Sequence, residues 1–241
     1  MSRHSGKVDP PASQEPCLYL VPTPIGNLSD MTPRALGILS SVDFILAEDT
    51  RVSNKLLMHF RIDNNLRSFH SQNEHKTWPL IVDQLRQGKR IALVTDAGTP
   101  GISDPAYLLV RACREAEIPV VALPGATAFV PALVASGLPC DKFFFNGFLP
   151  HRKGRKSQID WLAHLPSTVV LYESPHRIKR CASELLESFG KDRNACFAKE
   201  ISKLHETYFT GPLGDIVEAL QTANLSGEWV IVLAGNPEST Y

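Results

Sequence analysis

Three stretches of this sequence place glycine, proline and small polar residues directly after a short apolar run. They are Val21-Pro22-Thr23-Pro24-Ile25-Gly26-Asn27-Leu28, Thr95-Asp96-Ala97-Gly98-Thr99-Pro100-Gly101-Ile102-Ser103-Asp104-Pro105 and Pro124-Gly125-Ala126-Thr127-Ala128. A loop of small residues at the carboxyl end of a strand lets a ligand come close to the backbone. Gly98 and Gly101 permit that approach or a positive φ, and the prolines hold the loop in shape. A tight strand-to-helix turn uses the same residues, so one such loop alone leaves both readings open. Three in one half of the chain favour a cleft over three unrelated turns. None reads GxGxxG or GxxxxGK followed by Ser or Thr, so the dinucleotide and P-loop fingerprints are missing, and a ligand here would be held by backbone groups.

Charged residues mark other places. Glu48-Asp49 and Arg51 follow a second apolar run, and Lys199-Glu200 follow another. His151-Arg152-Lys153-Gly154-Arg155-Lys156 is the densest basic cluster, with Arg177, Lys179 and Arg180 as a lesser one. Such a cluster binds phosphate or is simply a solvated loop. His59, His70 and His164 fit no metal spacing.

The elements that position these residues alternate. Cys17–Val21, Asp43–Ala47, Arg90–Val94 and Pro119–Leu123 read as short buried strands, with Thr32-Pro33 capping a helix start. Helical stretches fall near Asn73–Gln87, from Asp104-Pro105 onward, and over Thr127–Ser136. This is the pattern of parallel β-α units. After Gly137-Leu138-Pro139 the alternation restarts with strands at Phe143–Phe145, Thr168–Tyr172, Ala195–Lys199 and Trp229–Leu233. Helices are expected from Ser174-Pro175 to about Ser188 and over Pro212–Gln221. The fold class is therefore α/β with two α/β domains, 17–137 and 138–241, the second with a mixed sheet. Residues 1–16 are polar, hold three prolines, and read as a disordered lead rather than a signal peptide.

Composition narrows the functions. With 241 residues, 43% apolar and 21% charged, the chain can bury a sizeable core. Lys plus Arg is 25 and Asp plus Glu is 25, so any nucleic-acid binding must come from a local patch. The five cysteines (Cys17, Cys113, Cys140, Cys181, Cys196) lack CxxC spacing and read as reduced, mostly buried thiols. No apolar run of about 18 residues exists, so a cytoplasmic protein without a membrane span is expected.

Five strings in register carry a resemblance. They are Leu20–Leu28, Ala47-Glu48-Asp49-Thr50-Arg51, Asp96–Pro105, Tyr172-Glu173-Ser174-Pro175-His176-Arg177 and Lys199-Glu200-Ile201-Ser202-Lys203. Over about residues 17 to 235 the chain resembles the ribosomal small-subunit RNA 2′-O-methyltransferase branch of the tetrapyrrole methylase family. The resemblance implies a methyl transfer to the ribose hydroxyl of a cytidine in small-subunit ribosomal RNA or the 30S particle. It also implies S-adenosylmethionine in a cleft between two α/β domains and a homodimer; with no metal spacing in the sequence, cofactor binding without metal is expected. Carried onto this sequence, the cofactor residues are Pro24, Asp96, Ala97, Gly98, Thr99, Ile102, Ser103, Thr127 and Ala128. From the second half come Tyr172, Ala198 and Val230. Ala106 stands where the family usually has Gly, and Ala126-Thr127 where Pro-Ser is commoner. Family members commonly continue past the final strand as a small helical module, whereas this sequence ends at Tyr241.

Methyl transfer to a hydroxyl needs a group that positions the hydroxyl and takes its proton. Glu48, Asp49, Arg51, Lys199, Glu200 and Asn27 are the candidates, unranked. Asp49 or Thr50 as a helix cap with an Asp–Arg pair is an equally good account of the first three. Arg152, Lys153, Arg155 and Lys156 are the candidate RNA contacts. Two rivals are a tetrapyrrole ring-carbon methyltransferase of the same fold and a non-catalytic cofactor-binding ribosome-assembly factor.

Overall fold

A computed structural model describes residues 15–239. Most of the expected lead, 1–16, lies outside the described residues. The described residues divide into two compact units, one ending at Ala126 and the other beginning at Thr127.

In the first unit, strands β1 (Cys17–Leu20), β2 (Phe44–Ala47), β3 (Leu66–Ser68), β4 (Arg90–Val94) and β5 (Val120–Ala122) alternate with helices. These are α1 (Pro33–Ser41), α2 (Thr50–His59), α3 (Glu74–Arg86) and α4 (Tyr107–Glu115). The sheet order is β3-β2-β4-β1-β5 and every pairing is parallel. Both faces are covered, which explains the unbroken apolar runs. On one face Tyr19, Ile45, Ala92 and Val94 pack with Ala35, Ile38, Leu39 and Leu57 of α1 and α2. On the other, Leu18, Leu46, Ile91 and Leu93 meet Ile81, Leu85, Leu109 and Cys113 of α3 and α4. Thr32 caps α1 as expected, its hydroxyl accepting from the Ala35 amide at 3.1 Å, with proline in the first turn.

The second unit holds α5 (Phe129–Ala135), β6 (Phe143–Phe148), α6 (Arg155–Ala163), β7 (Thr168–Glu173) and α7 (Ile178–Phe189). It continues with β8 (Asn194–Lys199), β9 (Thr207–Pro212), α8 (Leu213–Ala219) and β10 (Trp229–Leu233). Its sheet, β6-β7-β10-β8-β9, is mixed: β6 and β7 are parallel and the other pairs antiparallel. Val169, Leu171, Phe197, Trp229 and Ile231 form a core with Ile159 and Leu162 of α6, Cys181 and Leu185 of α7, and Ile216 of α8. Four of the five cysteines are buried and Cys140 is exposed, all as free thiols.

Several expectations are corrected. The division falls at Ala126/Thr127 rather than near Gly137, because α5 packs on β7 and β10 and so belongs to the second unit. Helix α4 begins at Tyr107, after the Asp104-Pro105 pair, with Ala106 at its cap position. Helix α7 begins at Ile178; the Ser174 carbonyl instead accepts from the Arg177 and Ile178 amides in a preceding turn. The basic stretch is only partly loop, since Arg155 opens α6.

Candidate active site

In the first unit the parallel register brings the carboxyl ends of β1, β2, β4 and β5 to one edge of the sheet, as in open α/β sheets generally. The loops there are tied to one another. Thr23 and Gly98 exchange backbone hydrogen bonds of 2.9 and 3.0 Å, and the Thr23 hydroxyl donates to the Thr95 carbonyl at 3.1 Å. The Thr99 hydroxyl donates to the Ala126 carbonyl at 3.0 Å. Gly125 lies so close to Pro22 that a Cβ there would stand 2.6 Å from the proline ring. At Gly98, where φ is +88°, a Cβ would meet Ile25 and the Ala126 carbonyl at 3.5 and 3.7 Å. Gly98 therefore lines the place where all three small-residue loops converge, with Pro24 in the first of them. Ser103 carries a positive φ of 66°, strain of a kind that concentrates at functional loops. Asp96 and Ala97 are exposed, and Ile102 is half-buried with its amide bonded to the Thr99 carbonyl at 3.2 Å.

The carboxylates at this edge separate by environment. Asp49 caps α2, accepting from the Arg51 amide at 2.8 Å and pairing with the Arg51 guanidinium at 2.6 Å. Those hydrogen bonds hold its carboxyl down at about 2. Arg51 is committed to that pair, which is the capping account of the Asp49–Arg51 stretch. Glu48 accepts from the buried Thr95 hydroxyl at 2.7 Å, and Asp96 accepts from the Asp49 amide at 3.0 Å. Burial raises the Asp96 carboxyl, with Glu48 and Asp49 nearby adding to the effect. Asp104 is raised furthest, to about 6, by burial and then by the charge of Glu48. A proton acceptor works best with affinity near the operating pH, so Asp104 suits that work better than Asp49. The sequence marks Asp104 only as a helix start, and its sole signal there is its place within the loop that follows β4. Asn27 uses its side-chain oxygen to cap the short 3-10 turn Leu28–Asp30, through the Ser29 amide at 3.0 Å.

In the second unit Tyr172, Val230 and Ala198 are cross-strand neighbours. The register runs Phe148–Tyr172–Val230–Ala198–Tyr208 across all five strands. Three residues far apart in sequence thus lie in one row on one sheet face. Thr127, at the start of this unit, has a buried hydroxyl without a hydrogen-bond partner among the described residues. A buried hydroxyl of this kind is open to a hydrogen bond from a bound polar group or a water.

The other second-unit candidates divide differently. Lys199 pairs with Trp229 in the register, on the face opposite Ala198, and is buried. Its ammonium donates to the Asn224 carbonyl at 2.7 Å, so it anchors a loop instead of reaching the row. Glu200 accepts from the Lys203 ammonium at 2.8 Å and the Glu228 amide at 2.9 Å. Burial pushes its carboxyl up, but these bonds outweigh burial and the net movement is down, unsuited to a base. Gly227 sits beside it with a φ of +107°, a conformation that favours glycine, and a Cβ there would crowd the Glu200 side chain.

Arg155 is also reassigned. It is 4% exposed and pairs with Glu184 at 2.6 Å and Glu173 at 3.4 Å, and it donates to the Pro150 carbonyl at 3.1 Å. A guanidinium so enclosed holds the fold and meets no external phosphate. Arg152, Lys153 and Lys156 are exposed. The described residues contain no His, Cys, Asp or Glu group suited to a metal ion, and no helix long and apolar enough to cross a membrane.

Residues 17–217 match the family model for Tetrapyrrole (Corrin/Porphyrin) Methylases. A Synechocystis protein named ribosomal RNA small subunit methyltransferase I is 46% identical over 219 residues, covering 90% of this chain and 78% of its own. One of the same name from Vibrio cholerae is 47% identical over 223 residues, covering 91% and 77%. Among solved structures, a uroporphyrin-III C-methyltransferase from Thermus thermophilus superposes with a TM-score of 0.63 at 21% identity, covering 91% of this chain and 94% of its own. Another structure described as that enzyme, complexed with S-adenosyl homocysteine, gives 0.61 at 20% identity, covering 90% and 96%.

Proposed function

This chain belongs to the tetrapyrrole methylase family, and we propose that it methylates the ribose 2′-hydroxyl of a cytidine in small-subunit ribosomal RNA, using S-adenosylmethionine. The observation that carries the substrate class is the 46% and 47% identity, over about nine-tenths of the chain, to proteins named as small-subunit ribosomal RNA methyltransferases. The likeness to ring-carbon methyltransferases, at 21% identity or less, speaks for the fold alone.

The residues present fit the cofactor. The Thr127 hydroxyl has a hydrogen bond to give, Gly98 keeps the loop surface open, and Tyr172, Val230 and Ala198 form a continuous largely apolar row. Pro24, Asp96, Ala97, Thr99, Ile102, Ser103 and Ala128 complete the candidate set. When bound, S-adenosylmethionine supplies an electrophilic methyl group. The chain's own part is to align the hydroxyl and accept its proton. Asp104, with Asp96 beside it, has the proton affinity for this, while Glu48 and Thr95 fix the surrounding hydrogen bonds. Arg152, Lys153 and Lys156 hold phosphates of the RNA. The enzyme works in the cytoplasm, as a homodimer, on the 30S particle or its RNA.

The test supplies labelled cofactor with isolated small subunits, free ribosomal RNA and a tetrapyrrole precursor, and maps the product by mass spectrometry. A ribose 2′-O-methyl on the RNA is expected. A methyl on a base or ring carbon overturns the reading, and no transfer to any of the three favours a non-catalytic cofactor-binding role.

A further inference from the structure

We propose that Phe148 is the stacking surface for a base of the single-stranded RNA substrate, at the target nucleotide or its immediate neighbour. This rests on the ribosomal RNA reading above. Three observations bring it out. Phe148 is 50% exposed although it ends a strand in a well-packed unit. Its ring lies 5.6 Å, centroid to centroid, from that of Tyr172, with which it also pairs in register. Tyr172 continues into the Val230–Ala198 row, so one side of the Phe148 ring abuts the row assigned to the cofactor and the rest faces solvent.

The charge around it is complementary to RNA. Six residues, His151 to Lys156, follow Phe148 after Leu149-Pro150. Arg152, Lys153 and Lys156 are exposed and form no ion pair among the described residues, whereas Arg155 is locked to Glu173 and Glu184. Its bond to the Pro150 carbonyl ties the loop's start to α6. An exposed aromatic face flanked by free cations is how proteins hold unpaired nucleotides: rings stack on bases while cations meet phosphates. A ribose hydroxyl reacts only when its nucleotide is held with that hydroxyl toward the cofactor, and a ring beside the cofactor row can hold it by stacking on a base. Among the described residues, the other exposed rings of this unit are placed differently: Phe143 lies at the beginning of β6, and Phe144 lies on its opposite face against Trp161 of α6. Phe148 draws no notice in the sequence, because an aromatic that ends the Phe143-Phe144-Phe145-Asn146-Gly147-Phe148 strand reads as core.

The experiment compares wild type with Phe148→Ala, Phe148→Leu and Phe148→Trp, measuring kcat and KM for small-subunit RNA methylation. Cofactor affinity and molecular mass in solution are measured on the same samples. Wild-type methylation of ribosomal RNA tests the parent reading by itself; if wild type fails, that reading has failed and not this one alone. Given active wild type, Ala and Leu should raise KM roughly 5- to 150-fold, the usual range for one base-stacking interaction. Trp should restore it, and cofactor affinity should change less than about threefold in all three. Phe148→Leu keeps apolar bulk without a ring face, so it separates stacking from folding. The proposal is overturned if Leu matches wild type in KM, if Trp fails to rescue, or if Ala and Leu halve the molecular mass, which would make the ring an interface between copies.

Discussion

Asp104 is the residue whose environment makes the sharpest prediction. Its carboxyl moves from the ordinary 3.8 to about 6, first because it is buried and then because Glu48 is near, with Thr95 hydrogen bonding offsetting part of the rise. A raised carboxyl pKa means that the folded protein holds the proton more tightly than the unfolded chain. The folded state is therefore penalised as pH rises from about 4 to about 6, and the full penalty persists above that. A rise of about two pH units corresponds to about 3 kcal/mol, and partial solvent exposure reduces this to roughly 1–3 kcal/mol. Asp104→Asn keeps the shape and removes the charge. The variant should match wild type below pH 4 and gain roughly 1–3 kcal/mol by pH 7, read as urea midpoints from pH 3.5 to 8 without cofactor. It should also lose most of its kcat for methyl transfer with little change in cofactor affinity, since an amide takes no proton. A variant that is less stable at pH 7, or whose stability difference is the same at every pH, would refute the account. Full kcat in Asp104→Asn would remove Asp104 from the chemistry and leave Asp96 as the raised carboxylate to test.

Other perturbations have equally definite outcomes. Gly98→Leu should abolish cofactor binding by calorimetry, because its side chain would occupy the place lined by Ile25 and the Ala126 carbonyl, on a backbone whose φ of +88° also disfavours it. In the same calorimetric experiment, chelator should leave wild-type cofactor binding unchanged. Arg155→Met leaves Glu173, whose side chain is fully buried, without one of its cations, and should destabilise the protein by about 3–5 kcal/mol in denaturant titration. Replacing Arg152, Lys153 and Lys156 together with Ala should weaken RNA binding and leave cofactor affinity unaltered. The log–log salt dependence of RNA binding should flatten by about 0.7 for each phosphate that is no longer neutralised.

Where burial on both faces dictates the residues, the sequence is easy to read. Strand β4 occupies the run expected of it because its buried residues face helices on either side. Strands β3 and β9 lack the apolar runs that mark the other edge strands β5 and β6, since their residues are mostly polar or partly exposed. The three small-residue loops were legible since only their residue types allow such close approach. The roles of charged residues were not, because composition does not distinguish a solvated cation from an enclosed one. Periodicity did hold the signal. Arg155, Ile159 and Leu162 share the apolar face of α6, and Ala195, Phe197 and Lys199 share the core face of β8. A cation at such a position is enclosed before any candidate function is assigned to it.

The enclosed charges explain why the two units offer different chemistry although both present their candidates at strand ends. In the second unit Glu173, Glu184 and Glu200 are each held by Arg or Lys partners. Pairing holds Glu184 and Glu200 below the ordinary carboxylate range, so they are poor acceptors of a proton near neutral pH. Following β6, this unit also carries three exposed cations, Arg152, Lys153 and Lys156, that form no ion pair among the described residues. In the first unit Asp96 and Asp104 have no cation closing on them comparably, and burial raises both. The proposed proton acceptance therefore falls to the first unit and the proposed holding of an anionic substrate to the second. Changes at Asp104 should move the pH profile of kcat, whereas changes at Phe148 or the free cations should move substrate KM and its salt dependence. A variant of either group that shifted the other group's observable would show that the two tasks are not divided this way.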